Sequence, residues 1–443
     1  MRLFTIKKSI YFLFGVLFIF NSCNKSEESA SKVPDKIDDN TAEIPQEYVS
    51  VPLVNDVINF SHFNHLYKEI DFKGKKVGIV HIYSKYPSYT FDIEPNEGFT
   101  CVDDVARAIV MLSKYIEVFG TNEIALEKIK NLTEFVLQMQ HENGYFNNFL
   151  WGNLAVNKTY KTSIAQLDWW SLRALWALES AYPYLKSNKE MAGSIEMATQ
   201  KLLVNIKKDI PVTNLNTTFI NSIEFPTWLI GKHASDQSAL LMLGLLKNYE
   251  RTNNGDIKLL IDSMAKGVMI MQKGDAVKYP YGAFLSWENM WHAYGNSQAF
   301  ALLKAGIKFN NPTYIASALK EIDNFYPMLL KNGFAEAFWI NKTEDTITES
   351  DRNVYPQIAY GLRPMVWATV EAYTYSNNEN HLALAKKLNS WLLGENDSKK
   401  SIYNPLNGVC FDGVIGLNEV NKNSGAESTI ESLLILLEME KLK

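Results

Sequence analysis

Six apolar segments recur along this chain at steps of 60 to 68 residues. Each segment is apolar on nearly every helical face and polar only at its start, a pattern that predicts a helix buried on all sides. The six segments are 103–115, 167–181, 236–246, 292–305, 357–372 and 426–437. Recurrence at a fixed step indicates a repeat architecture, because a single repeat cannot bury its apolar face without neighbours.

Amphipathic segments alternate with the buried ones, and each has an apolar stripe and a charged face. They are 124–140, 189–208, 256–272, 312–330 and 381–393, and a sixth is expected near 54–70. Six inner helices inside six outer ones close into a ring without an exposed apolar edge. The sequence therefore predicts an all-α fold, an (α/α)6 toroid of six helical hairpins. The alternating segment 77–83, paired with 89–91, predicts a small β-hairpin at the rim.

The N-terminus predicts export. Arg2, Lys7 and Lys8 precede an apolar segment, 10–20, that is too short to span a bilayer. Cys23 follows, which resembles the lipidated cysteine of bacterial lipoproteins; a plain signal peptide with an incidental cysteine is the alternative. We expect a lipoprotein signal peptide at 1–22, a flexible polar tether at 23–47 and the toroid domain at 48–443. Lipidation of Cys23 would anchor the protein to a membrane of the cell envelope.

Composition limits the possible partners. Of 443 residues, 47% are hydrophobic and 21% are charged, so the chain can bury a large core. The formal net charge of -5 argues against a nucleic-acid partner, because phosphate binding needs a basic surface. The sequence has no phosphate loop, dinucleotide fingerprint or zinc-ligand spacing, so we expect neither a cofactor nor a metal. We expect a monomer that binds an oligo- or polysaccharide.

Ring closure would bring the polar starts of the inner helices to one face, around a common bowl. Neighbouring carboxylates there would raise one another's pKa, as general acid–base catalysis requires. The catalytic candidates are five acidic residues: Asp104, Glu427, Asp168, Asp236 and Glu288. Asp104 and Glu427 rank first, because the first and last helices of a ring are adjacent. Helix capping is the alternative role for an acidic residue at a helix start.

Adjacent residues point about 100° apart on a helix, so we expect Asp104 to face the bowl while Asp103 caps the helix. Other polar and aromatic residues at the helix starts and in the loops are predicted to bind sugar by stacking and hydrogen bonding. These residues are Asp103, Trp151, Trp169, Trp287, His292, Asn296, Trp339, Arg352, Tyr360 and Arg363. Packing within the rim is the alternative role for the tryptophans.

Two further cysteines each lie shortly before an inner helix, Cys101 before the first and Cys410 before the last. These helices are neighbours in a closed ring, and an exported protein can keep a disulfide. The hypothesis is a ring-closing disulfide between the two cysteines. The alternative is a pair of buried, unreactive thiols.

Four motifs carry a family resemblance: VDDVARA at 102–108, GYFNNF at 144–149, RALWAL at 173–178 and NSGAEST at 423–429. Together they resemble the six-hairpin glycosidase superfamily, and most of all the helical domains fused to bacterial sugar transferases. Where that family has an acidic pair before the second inner helix, this chain has Asp168 followed by Trp169. The resemblance implies a toroid and a carbohydrate substrate, but it leaves the reaction open, because the superfamily holds hydrolases, lyases and epimerases.

Three functions follow as hypotheses. The first is a glycoside hydrolase, in which one carboxyl protonates the leaving oxygen and a second carboxylate activates water. The second is a polysaccharide lyase or sugar epimerase, in which His292, Tyr294 or Tyr360 removes a proton beside a uronate carboxylate that Arg363 holds. The third is a non-catalytic glycan-binding lipoprotein.

Overall fold

The computed structural model of the protein describes residues 55–443. The predicted signal peptide, the tether and Cys23 lie outside the described residues, as does the first residue of the predicted segment 54–70. The α-helices, in chain order, are α1 (Ser61–Leu66), α2 (Val102–Phe119), α3 (Glu123–Gln138), α4 (Trp169–Leu185), α5 (Lys189–Asp209), α6 (Ser235–Thr252), α7 (Gly255–Ile270), α8 (Gln298–Phe309), α9 (Pro312–Lys320), α10 (Tyr326–Asn332), α11 (Ala359–Ser376), α12 (Glu379–Asn389) and α13 (Ala426–Glu440).

Six of these helices form the inner ring, as the recurrent apolar segments predict. They are α2, α4, α6, α8, α11 and α13, and each packs against the next in this order. The last of them, α13, packs against the first, α2, so the ring is closed. Helices α3, α5, α7, α9 and α12 each return antiparallel against the preceding inner helix and form the outer layer. The predicted (α/α)6 toroid is confirmed.

Each outer helix named above begins after an asparagine whose side-chain oxygen accepts a backbone N–H of the first turn. The five are Asn122, Asn188, Asn254, Asn311 and Asn378. An N-cap of this kind stabilises a helix by about 1 kcal/mol. The caps therefore set where each turn between an inner and an outer helix ends.

The sixth outer helix is shorter than predicted. Helix α1 ends at Leu66 and packs against α13, and the chain continues as strand β1 (Tyr67–Phe72). The side chains of β1 alternate between buried and exposed, which is the period of a strand and not of a helix. A tight turn at Lys73 and Gly74, both with positive φ, then leads into β2 (Lys75–Val80), the antiparallel partner of β1.

The predicted rim hairpin is present but pairs differently. Because residues 77–80 pair with β1, the segment 77–83 does not form one strand with 89–91. Instead β3 (Tyr83–Lys85) pairs with β4 (Thr90–Asp92), and this hairpin lies at the start of α13. The remaining strands are β5 (Thr100–Cys101), β6 (Phe149–Leu150), β7 (Thr217–Ile220), β8 (Ile223–Pro226), β9 (Met290–His292), β10 (Ala337–Thr343), β11 (Thr346–Asn353), β12 (Gly413–Gly416) and β13 (Glu419–Asn421).

The fourth inner helix begins later than predicted. The expected segment 292–305 includes Gly295, whose φ of +70° is incompatible with a right-handed helix. Helix α8 therefore starts at Gln298, and His292 lies on β9. Strand β9 pairs with β10, which pairs with β11, so this loop region is a three-stranded sheet.

Hydrogen bonds and ion pairs of polar side chains link neighbouring inner helices all the way around the ring, and we call this set of contacts the hoop. Near the start of every helix, one side chain reaches the neighbouring helix or the loop directly before it. In ring order from α2, the pairs are Arg173–Asp103 at 2.6 Å, Gln237–Asp168 at 2.9 Å, Gln298–Ser235 at 3.0 Å, Asn296–Gly361 at 3.2 Å, Arg363–Glu431 at 2.7 Å and Arg107–Glu427 at 2.6 Å. All six helices therefore begin on one face of the ring, around the predicted bowl.

One outer helix carries a buried acid. Between α9 and α10 the helix widens into a π-helical turn, Glu321–Phe325. The Glu321 carboxyl accepts the backbone N–H of Phe284 at 2.8 Å and the hydroxyl of Tyr326 at 3.1 Å. Burial raises the pKa of Glu321 from its ordinary value of 4.5 to about 8.

This burial predicts a pH-dependent stability. Because the folded pKa of Glu321 exceeds the unfolded one, the free energy of unfolding falls as pH rises from 4.5 to 8 and levels off above that. Glu321→Gln removes the titration and keeps the shape of the side chain. In thermal melts the variant should match the wild type near pH 4.5 and exceed it by on the order of 3 kcal/mol at pH 9. Exposed Glu142→Gln is the control; an equal gain in both variants contradicts the assignment.

Candidate active site

Arg107 is the centre of a group of polar side chains at the bottom of the bowl, which we call the floor. Its members are Asp103, Asp104, Arg107, Arg173, Tyr360, Glu427 and Glu431. The Arg107 guanidinium binds three carboxylates: Asp104 at 2.7 Å, Glu427 at 2.6 Å and Glu431 at 3.0 Å. Asp104 and Arg107 stand three residues apart on α2, whereas the two glutamates stand four apart on α13. Residues at these spacings share a helix face, so the contacts join the first and last inner helices.

A second arginine, Arg173 on α4, extends the floor. It donates to the Asp103 carboxylate at 2.6 Å and to the Tyr360 hydroxyl at 2.7 Å. The ring of Tyr360 lies 4.8 Å from the Arg107 guanidinium carbon and 5.3 Å from that of Arg173. The two arginines therefore flank one aromatic ring, and the carboxylates they hold, Glu427 and Asp103, belong to one floor.

Glu427 is the acid of this group that opens into the bowl. Its side chain is 42% exposed, whereas that of Asp104 is 4% exposed. Enclosure by the surrounding protein raises the pKa of Glu427; the Arg107 guanidinium opposes this, and the charges of Asp104 and Glu431 add to it. Glu427 is therefore both accessible and biased toward its protonated form, the two properties of a proton donor.

The adjacent aspartates are arranged opposite to the prediction. Asp104 was expected to face the bowl, but its carboxylate is buried between Arg107 and the thiol of Cys101. Asp103, expected to cap the helix, is the more open of the two, with 18% of its side chain exposed. The Arg107 side chain draws Asp104 toward the ring axis, and Asn148 and Arg173 hold Asp103 toward the opening. Burial raises the pKa of Asp104.

Asp168 is the N-cap of α4. Its carboxylate accepts the backbone N–H of Trp169 at 2.8 Å and the amides of Gln237 and Gln166. Burial raises its pKa, which these hydrogen bonds counteract. The alternative role of helix capping therefore describes Asp168, which also lies within the hoop.

Asp236 and His292 form a buried pair at the start of α6. The His292 Nε2 lies 2.9 Å from Asp236, and its Nδ1 lies 2.8 Å from the carbonyl oxygen of Tyr294. A carbonyl oxygen only accepts hydrogen bonds, so Nδ1 is the donor in the contact with Tyr294. The His292 ring also stacks on that of Tyr294, with centroids 3.8 Å apart. Both members of the pair are nearly inaccessible.

Trp169 is the predicted aromatic residue that reaches the floor. Its ring lies 5.1 Å from the guanidinium of Arg173. Gly295 allows this placement, because a Cβ there would come within 2.9 Å of the indole and 3.0 Å of the Tyr360 hydroxyl. Trp151 and Trp287 are half-buried in loops that precede inner helices, where sequence analysis placed them.

Several predicted binding residues have other roles. Arg352 and Trp339 lie on the β10–β11 hairpin, where Arg352 pairs with Glu349 of its own strand at 2.7 Å. Arg363 is buried beneath Tyr360 and binds Glu431. Asn296 is buried and donates to backbone carbonyls, including that of Gly361. These residues contact the ring helices or the rim, and none of them forms a hydrogen bond or an ion pair with the carboxylate of Asp103 or Glu427 in the described residues.

Glu288 is also placed apart from the floor. It is half-buried in the tight turn between Trp287 and Met290, with a φ of +47°. Its turn leads into β9, away from Arg107 on α2 and Arg173 on α4. The prediction that Glu288 is catalytic has no support from this geometry.

Sequence analysis assigned no role to five residues of the site, among them Glu431. Arg107 and Arg173 stand inside helices that are mostly apolar, and a charge on the buried part of such a helix is the signal that identifies them. Glu97 accepts the Tyr83 hydroxyl at 2.6 Å and lies near the charges of Asp103 and Asp104, and burial raises its pKa. Glu336 lies near His292, and burial raises its pKa too. Both glutamates lie in loops, where no helical spacing marks them.

The proposed disulfide is not formed. Cys101 and Cys410 are free and buried. The Cys101 thiol caps α2 and contacts Asp104, whereas Cys410 packs in the main core beside Phe411. Each sulfur thus has its own environment on a different element, and the alternative of two buried thiols is the arrangement observed. Burial raises the pKa of both thiols.

Within residues 55–443, no cluster of His, Cys, Asp and Glu has the arrangement of a metal site. In the same range, no helix has the length and apolar character that a membrane span requires.

The central arginine predicts a large stability effect. Arg107→Met leaves Asp104, Glu427 and Glu431 without their shared cation, so the free energy of unfolding should fall by about 3 to 5 kcal/mol. Arg352→Met is the matched control, because Arg352 also binds a carboxylate but is partly exposed; it should cost about 1 kcal/mol or less. Denaturant unfolding of both variants measures the difference. A similar fall in the free energy of unfolding of both variants would contradict the conclusion that the buried Arg107 contacts stabilise the fold more than the exposed pair does.

Comparison with known proteins supports the fold. No protein-family profile matches the chain, and no curated protein matches it in sequence. Among solved structures, a sugar epimerase from a ruminal bacterium is similar over 88% of this chain and 97% of its own, with a TM-score of 0.61 and 13% identity. The cellobiose 2-epimerase of Bacillus thermoamylovorans is similar over 81% and 92%, with a TM-score of 0.56 and 10% identity.

An α-1,6-mannanase variant of Salegentibacter sp., solved with α-1,6-mannotetrose, is similar over 82% of this chain and 93% of its own, with a TM-score of 0.50 and 11% identity. These neighbours are carbohydrate-active enzymes that share one architecture. The chain shares its (α/α)6-toroid fold with these solved structures.

Proposed function

We propose that this protein hydrolyses a glycosidic bond, with Glu427 as the general acid. The observation that carries the proposal is the accessible Glu427 carboxyl with a raised pKa, on a floor that also holds a second open carboxylate, Asp103. Two carboxyl groups of unlike environment are what glycoside hydrolysis needs. The fold, which is shared with carbohydrate-active enzymes, adds general support.

In this mechanism the bond between the anomeric carbon and the leaving oxygen breaks while Glu427 donates its proton to that oxygen. A water oxygen bonds to the anomeric carbon, and Asp103 takes the proton that this water releases. Glu427 then regains a proton from solvent and Asp103 loses one. Arg173 holds the Asp103 carboxylate in position through a charge-assisted bond at 2.6 Å.

Other floor residues orient these groups. Arg107 fixes the Glu427 carboxyl while it also hydrogen-bonds Asp104 and forms an ion pair with Glu431, so the acid is held by a group that is itself anchored on two sides. Trp169 and Tyr360 present aromatic surface beside Arg173, on which a sugar face can stack. The arrangement thus supplies an acid, a base and a stacking surface.

The proposal predicts the effect of removing the proton donor. Glu427→Gln keeps hydrogen bonding to Arg107 but cannot donate, so kcat should fall by about 100-fold or more with little change in KM. In the wild type, activity should decline as pH rises through the raised pKa of Glu427. Glu440→Gln, on the same helix but away from the bowl, should keep full activity. Product release from a polysaccharide panel, read by mass, measures both variants; full activity of Glu427→Gln would refute the assignment.

A sugar epimerase is the second candidate function. The pair of His292 and Asp236 favours it, because removal of a proton from carbon needs a base, and a histidine oriented by a carboxylate is a common one. The low exposure of both residues ranks it below hydrolysis. Turnover of oligosaccharides in deuterated water separates the two: epimerisation places deuterium on a ring carbon without shortening the glycan, and hydrolysis shortens it.

We also propose that the protein is a lipid-anchored component of the cell envelope, on the strength of the sequence around Cys23. Labelling of expressing bacteria with a fatty-acid analogue should mark the wild type and not Cys23→Ala. The Cys410→Ala variant is the control and should stay labelled. Equal labelling of Cys23→Ala and the wild type would overturn the anchor.

A further inference from the structure

The charge balance of the bowl constrains the substrate. Two guanidinium groups lie on the floor, and each is already paired: Arg107 with three carboxylates and Arg173 with Asp103. Acidic groups exceed them in number. Eight lie on the floor or near its charges: Glu97, Asp103, Asp104, Asp168, Asp236, Glu336, Glu427 and Glu431.

An anionic sugar would meet this floor at a disadvantage. Its carboxylate or sulfate would leave water without gaining a cation, and an unpaired charge is costly to bury. The carboxylates of Asp103 and the neighbouring acids would also repel it. Enzymes and binding proteins that recognise such groups offer an arginine or lysine fork instead.

A neutral sugar has no such difficulty. Its hydroxyls can donate to Asp103 and Glu427 and accept from a protonated Glu427, and its apolar face can lie on Trp169 or Tyr360. We infer that the sugar units bound on this floor are neutral, without carboxylate, sulfate or phosphate groups. This inference rests on the proposed function for its site, and it disfavours the uronate lyase considered from sequence.

The test compares matched glycans on the full chain. Neutral polysaccharides are offered beside the same polymers after oxidation of their primary hydroxyls to carboxylates, together with natural uronans and sulfated glycans. Calorimetry measures binding, and mass analysis measures products. A neutral polymer should bind about 100-fold more tightly than its oxidised form, a difference that two unpaired charge contacts account for. Comparable binding or cleavage of any anionic glycan would overturn the inference.

A second experiment, which removes one carboxylate from the floor, tests the inference even if no neutral polymer in the panel binds. Asp103→Asn removes the partner of Arg173, so tetragalacturonate should bind at least about tenfold more tightly to this variant than to the wild type. Asp103→Ser removes the same charge and serves if the first variant folds poorly. Glu349→Gln is the matched control, since it frees Arg352 on the β10–β11 hairpin and should add no binding. Equal binding by wild type and Asp103→Asn would overturn the inference.

Failure of this inference is distinguishable from failure of the proposed function. Binding of a neutral glycan without any shortened product would refute hydrolysis and leave the inference standing. Cleavage of a uronan would do the reverse.

Discussion

The structure depends on a guanidinium buried where the ring closes. Arg107 lies inside a helical barrel, out of contact with bulk water, and a charge in that position is tolerated only when it is paired and fully hydrogen-bonded. One carboxylate comes from its own helix, α2, and two come from α13, the last helix of the chain. The first and the last inner helix are therefore joined by buried charged groups, and separating these groups would cost much free energy.

The same interaction sets the chemistry of the bowl. Glu427 is held by Arg107, which lowers its pKa, while the enclosure and the neighbouring acids raise it, and the net direction is upward. Asp103 is bound by a different cation, Arg173, and its side chain is 18% exposed against 42% for Glu427. The ring thus brings two carboxyl groups onto one floor in unlike electrostatic surroundings, which is the physical basis of an acid and base pair.

Much of the fold can be predicted from the sequence, because the spacing of apolar residues indicates which helix faces are buried. Uniformly apolar segments identify the six inner helices, and asparagine N-caps mark the outer helices that follow them. The sixth outer position was predicted wrongly, since residues 67–72 alternate with the period of a strand. Gly295 likewise ends the expected helix before α8, since its φ is +70°, and Trp169 and Tyr360, which lie far away in sequence, leave no room for a Cβ there.

The site could be predicted only in part. Glu427 and the polar helix starts follow from the ring itself, and Trp169 follows from its position beside Asp168. The choice between Asp103 and Asp104 could not be made from helix geometry, because it depends on which arginine reaches which carboxylate. Loop acids such as Glu97 and Glu336 have no periodic signal, and only the folded chain brings them near the floor.

The central claim is that enclosure and the neighbouring acids raise the pKa of Glu427 at the α2–α13 contact, although Arg107 lowers it. Carbon-detected NMR of protein labelled at the glutamate side-chain carboxyl, with Glu427→Gln for assignment, measures its titration directly. The account predicts a Glu427 pKa above the ordinary glutamate value of 4.5. A Glu427 that titrates at or below that value would contradict it, because the Arg107 guanidinium would then outweigh the enclosure and the neighbouring acids.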